Sequence, residues 1–242
     1  MSFSAITTKE IGGDMSLFGF PKKKQNGDHV ATIQELREIL GENKVYGAEH
    51  VCKQMGVECE NPNPPPFFVS TIQRCAEQNK RTWRRKPLAD WRVVYVPGFS
   101  IWLLRSRYTK DKDGEPYFSP HFWLNWEESW LIERRKPKYW LINFKPNFPN
   151  MSMDLQKTEI ANLGTEYACT PEHIVVQSLF TIRDTTGERL LNKHLHCGYI
   201  SRLGFYDNYG LILFDTAIPM MCKREAGVLM YIRPDKQTPE PQ

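Results

Sequence analysis

A chain of 242 residues with 40% apolar and 25% charged residues is long enough and apolar enough to bury a core, in one large domain or two small ones. No run of eighteen apolar residues occurs, which excludes a membrane-spanning helix, and residues 1–24 carry neither the apolar stretch nor the small-residue cleavage site of a secretory leader. The formal net charge of +4 hides an uneven distribution, described below.

In chain order, residues 1–28 lack periodicity and read as a flexible tail. Thr32 and Glu35 have the spacing of a capping box, and Ile33, Leu36, Ile39 and Leu40 supply one apolar face, so a helix begins there and closes at Gly41. A second short helix is expected over 46–55. The Pro-rich stretch 61–66 reads as an extended connector. A third helix is expected from Ser70, with Gln73 completing a capping box, to about Lys80. Residues 91–96 and 99–108 read as strands separated by Pro97-Gly98. Ser119-Pro120 opens a helix that ends in positive charge before Pro137. A strand at 139–144 and a helix at 154–163 follow. From His173 onward Ile174, Val176, Phe180 and Ile182 alternate, Asp184 to Gly187 reads as a turn, and strands are expected at 190–201, 211–214 and 228–232. The expected fold class is α+β: a helical region at 29–81, then at 82–235 a mainly antiparallel sheet and meander with one or two packed helices, and a short tail at 236–242.

Six cysteines, Cys52, Cys59, Cys75, Cys169, Cys197 and Cys222, stand at wide, irregular spacings. Without secretory signals this pattern points to reduced thiols and a cytoplasmic or other reducing compartment.

Charge and tryptophan share one region. Residues 74–145 hold 16 Lys and Arg against 8 Asp and Glu, whereas both flanking regions are slightly acidic. All seven tryptophans, Trp83 to Trp140, fall in the same span. One cluster is Lys80, Arg81, Arg84, Arg85 and Lys86 around Trp83. The other is Arg134, Arg135, Lys136 and Lys138 beside Trp140. Cations neutralise phosphates, and aromatic rings accept unstacked bases, so this mixture points to a non-enzymatic protein with a DNA- or RNA-binding surface, a replication or processing accessory. The competing reading is packing: Trp123, Trp126 and Trp130 stand at helical spacing on one face, as core residues do. The surplus of aromatic side chains also suits a structural or adaptor subunit of a large assembly.

No phosphate-binding glycine loop, dinucleotide fingerprint, nucleophile elbow, HExxH or paired CxxC is present. Two short segments resemble known elements. His194-Leu195-His196, followed by Cys197, resembles the histidine–hydrophobe–histidine element of rolling-circle replication and relaxase nickases. That resemblance covers three residues and implies that His194 and His196 hold a divalent metal polarising a scissile phosphate. A downstream tyrosine (Tyr206, Tyr209 or Tyr231) would be the nucleophile, although these fall in expected strands or turns rather than on the family's helix. A zinc variant adds Cys169 and His173 to His194 or His196 and Cys197. No other cofactor is called for. Asp14-Met15-Ser16-Leu17-Phe18 resembles the bacterial sliding-clamp-binding peptide, with Asp14 where the family has glutamine. It implies a protein partner bound through Met15, Leu17 and Phe18.

Overall fold

In a computed structural model the described residues are 28–58, 64–111, 114–119, 132, 134, 136–149, 151–190, 195–197, 202–207, 210–215 and 227–234. They form an α+β fold. Helix α1 (Ile33–Leu40) starts on the expected capping box: the Thr32 hydroxyl accepts from the Glu35 amide, and the Glu35 carboxylate accepts from Thr32. Then come β1 (Val45–Tyr46), α2 (Ala48–Met55) and α3 (Val69–Lys80). α3 begins one residue before Ser70 and lacks the expected Ser70–Gln73 box. Ser70 instead bonds the Asp28 carboxylate through both its amide and its hydroxyl.

A two-stranded hairpin, β2 (Thr82–Trp83) and β3 (Lys86–Pro87), precedes β4 (Trp91–Val96), α4 (Ile101–Arg107) and β5 (Lys138–Asn147). Helix α5 (Met153–Leu163), β6 (Tyr167–Cys169), α6 (Glu172–Thr186), β7 (Leu195–Cys197), β8 (Arg202–Asp207), β9 (Gly210–Asp215) and β10 (Gly227–Ile232) complete the described elements. The large sheet runs β1-β4-β5-β10-β7-β8-β9. It is mixed: β1 is parallel to β4 and β7 to β10, and the other pairs are antiparallel. β6 pairs with Met230–Ile232 and β7 with Gly227–Val228, so the two share β10 end to end. A Cβ at Gly227 would come within 2.8 Å of the Pro146 side chain, so only glycine fits where β10 crosses β5.

Two expected strands are helices. Residues 101–107 form α4 because the Ser100 hydroxyl caps it, accepting from the Leu103 amide. The alternation read from His173 to Ile182 belongs to α6, and the expected turn at Asp184–Gly187 is its end, with Gly187 in the left-handed region at φ 73°. Every residue from Glu172 to Arg183 is buried, so this helix shows no polar face to mark its period. β10 adds in parallel beside the β7–β9 meander instead of continuing it. Of the expected helix after Ser119 only Ile132, Arg134 and Lys136 are described; Ile132 is helical, whereas Arg134 and Lys136 are not.

All six residues of β4 are buried, so both faces of the sheet are covered there. Trp91, Val93 and Tyr95 face one side and Arg92, Val94 and Val96 the other. The Trp91 indole donates to Gln78 of α3, while Arg92 reaches Glu188 just beyond α6. One buried cluster joins residues from Ala31 to Ile232, drawing on both 29–81 and 82–235. No helix among the described residues is long and apolar enough to cross a membrane. Cys52 is disulfide-bonded, which overturns the reading of all six cysteines as reduced thiols, whereas Cys75 and Cys169 are free and buried.

Candidate nucleic-acid interface

The first basic cluster is gathered on one projecting element. α3 ends at Lys80, Arg81 caps it, and the chain turns into the β2–β3 hairpin with Thr82 opposite Pro87 and Trp83 opposite Lys86. Arg84 and Arg85 form the two-residue turn, with φ of 48° and 64°. Two positive φ values are what the right-handed strand twist demands of a tight hairpin, and Asn-Gly is the pair that adopts them readily. Two arginines in this turn hold a left-handed backbone against Cβ crowding, at about 1–2 kcal/mol each.

The hairpin stands on an anchored base. The Asn79 side chain bonds both the amide and the carbonyl of Trp91, at 2.7 and 3.0 Å. The buried Asn143 carboxamide accepts from the amides of Asp90 and Lys145, at 2.8 and 3.0 Å. The Lys145 ammonium donates to the Pro87 carbonyl, and the Leu88 amide to the Arg81 carbonyl. Asp90 in turn is held by Arg92 and by Lys44. Burial alone would raise the Asp90 pKa, but the Arg92 and Lys44 contacts outweigh it and keep the carboxylate below its ordinary range.

Above this base the hairpin is exposed. Residues 80–87 are all exposed, and the Trp83 side chain is 63% exposed. The Arg84 guanidinium lies 5.8 Å from the Trp83 ring centroid, a cation–π contact. Among the described residues neither Arg84 nor Arg85 has a carboxylate partner. Lys80 pairs with Glu77 at 2.8 Å and by that hydrogen bond holds the Glu77 pKa below its usual range, but both side chains are exposed and the pair adds little to stability.

The second cluster is elsewhere. Arg134, Lys136 and Lys138 are exposed, and the Lys138 ammonium lies 4.2 Å from the Trp140 ring centroid. Lys138 and Lys145 occupy opposite ends of β5, seven residues apart, about 23 Å at the usual strand rise. Arg135 lies outside the described residues, as do Met15, Leu17, Phe18 and His194. His196 and Cys197 fall in β7, as a strand reading expects. Among the described residues no three His, Cys, Asp or Glu side chains gather around a metal-sized space. The tryptophans divide. Trp91 and Trp140 are core, Trp83 and Trp102 are exposed, and Trp123, Trp126 and Trp130 lie outside the described residues. Lys145 belongs to the basic surface yet was not evident from the sequence, because it stands alone at the far end of a strand.

A cleft of ≈ 360 Å³ lies apart from the hairpin, lined by Gln54, Lys110, Asp111, Glu115, Arg183 and Asp184 among others. Burial first, and then the Asp111 charge, push the Asp184 carboxyl up to about 7. That value exceeds the roughly 3.9 of an unfolded chain, so folding favours the protonated acid. The associated stability is whole below about pH 4 and is lost as the pH rises through 7. Asp184→Asn should therefore raise the melting temperature at about pH 8 by roughly 2–4 °C for each kcal/mol relieved, and leave it unchanged near pH 4. Thermal unfolding across that range checks it, and a pH-independent offset would contradict it.

No protein-family model matches this chain, and neither a curated protein nor a solved structure matches it.

Proposed function

We propose that this chain binds nucleic acid without catalysing a reaction on it, through the hairpin formed by Thr82–Pro87 and its flanking Lys80 and Arg81. One observation carries the reading. Two consecutive arginines occupy backbone conformations that oppose them, on an exposed turn above a base secured by Asn79, Asn143 and Lys145. The hairpin demands the left-handed backbone but not arginine in it, and two arginines kept there, at an anchored and highly cationic tip, are best explained by what the tip contacts. Five cations stand within residues 80–86 with no carboxylate among them, which favours a polyanion whose phosphates they neutralise.

Fluorescence anisotropy with labelled oligonucleotides at roughly 50 and 200 mM salt tests this reading. The wild type should bind tightly at low salt and weaken steeply. Arg84→Ala/Arg85→Ala should weaken binding to every sequence and reduce the salt slope by roughly 1.5. Unchanged affinity in the double variant contradicts the assignment.

A second reading, a subunit of a larger protein assembly, is favoured by Trp102 on α4, which is 54% exposed. Sizing of the chain in its native extract separates the two, since an assembly subunit does not run alone. The metal-dependent nickase reading rests on the His194–His196 resemblance. Metal analysis of the purified chain tests it, and less than about a tenth of an equivalent argues against it.

A further inference from the structure

We infer that the nucleic acid held by the hairpin is single-stranded, with an unpaired base stacked on the open face of the Trp83 indole; this rests on the reading above and specifies its ligand. The described tryptophans fall into two kinds. Trp91 and Trp140 are sealed in the sheet and packed against Tyr167 and Tyr231, at ring distances of 6.3 and 4.7 Å. Trp83 stands outside: among the described residues the Arg84 guanidinium lies 5.8 Å from its ring centroid, and the side chain is 63% exposed. An indole left outside the core on an anchored ribbon is a flat apolar platform, flanked by Arg81, Arg85 and Lys86.

The chemistry of that platform selects the ligand. An indole has one N–H donor and no acceptor, so it cannot match the paired donor and acceptor pattern of a base edge in the major groove. What it offers is a ring face, and every unpaired base has a face to lay on it. In a duplex those faces are already covered, and inserting a ring between them costs a few kcal/mol of unstacking per step. A single strand presents its bases at no such cost, and the neighbouring phosphates of the same strand reach the cations beside the ring. Arg84, over the indole, supplies a second planar group at the same place.

The experiment compares wild type, Trp83→Ala, Trp83→Phe and Arg84→Ala/Arg85→Ala. The probes are a labelled oligothymidylate and an oligouridylate of about 20 nucleotides, and the duplex of the first with oligoadenylate. The wild type should prefer the single strands. Trp83→Ala should weaken their binding about 5- to 100-fold at unchanged salt slope, with little change on the duplex, whereas Trp83→Phe should retain most of the affinity. The two single strands distinguish RNA from DNA without altering the inference. Circular dichroism should show nearly equal melting temperatures for Trp83→Ala and wild type, since the side chain is 63% exposed and lies outside the buried core. Equal losses on single strand and duplex, or no loss at all, overturn the stacking inference. If the arginine variant still loses binding in that case, the nucleic-acid reading stands without it. Failure of the wild type to bind any probe at low salt overturns both.

Discussion

Replacing Arg183 by alanine should lower the stability of the fold by about 3–5 kcal/mol, the range for breaking a buried ion pair by removing one partner. The Arg183 side chain is 2% exposed and Asp111, its partner at 2.6 Å, 10%. The same guanidinium donates to the carbonyls of Pro116 and Glu115, at 2.8 and 3.3 Å, and lies 4.7 Å from the Tyr117 ring centroid. Tyr117 belongs to an aromatic group with Tyr108, Phe118 and Phe180, at ring distances from 4.9 to 5.3 Å. Arg183 therefore fastens the segment between α4 and the described residues near 119 onto α6. Its loss leaves the largely buried Asp111 carboxylate without its cationic partner and removes a donor from the Pro116 carbonyl, although the Glu115 amide still donates to Asp111. The double change Arg183→Met/Asp111→Leu should be far milder than the single one, because it removes both charges and keeps apolar volume. Urea unfolding measures both, and a single variant within about 1 kcal/mol of wild type contradicts this role.

The second large effect runs in opposite directions for stability and binding. Arg84→Asn/Arg85→Gly gives the turn the pair that its two positive φ values favour, and should stabilise the chain by about 2 kcal/mol. The same change removes two of the five cations and should weaken nucleic-acid binding by about tenfold or more at low salt. A stabilised variant that binds as well as wild type would mean that the strained arginines serve nothing at this surface. A destabilised variant would mean that the left-handed backbone at positions 84 and 85 carries no strain.

Some of this was legible in the sequence, and the reasons for success and failure are physical. The start of α1 was legible because Thr32 and Glu35 make their contacts within one turn, independent of anything distant. The cation cluster at residues 80–86 was legible as composition, but its hairpin was not. Arg-Arg carries no turn signal, and the strands have two residues each. α6 read as a strand because Ile174, Val175, Val176, Thr181 and Ile182 are β-branched and because the helix is enclosed on every side, which erases the amphipathic period. The fate of the tryptophans was not legible at all. Trp83 and Trp91 stand eight residues apart in the same basic stretch, and only the placement of α3 over β4 decides that one is core and the other is in water. The separation of the two basic clusters follows likewise from β5, whose length sets them at opposite ends.

The most direct test of the central claim is where nucleic acid touches the chain. A single-stranded oligonucleotide carrying a photoreactive halogenated uracil is cross-linked to the wild-type protein, and the modified peptide is mapped by mass spectrometry. Cross-links concentrated within residues 80–88, with Trp83 as the principal adduct, are the predicted result. Cross-links confined to residues 134–138 or to other parts of the chain, with the hairpin peptide unmodified, would contradict the account.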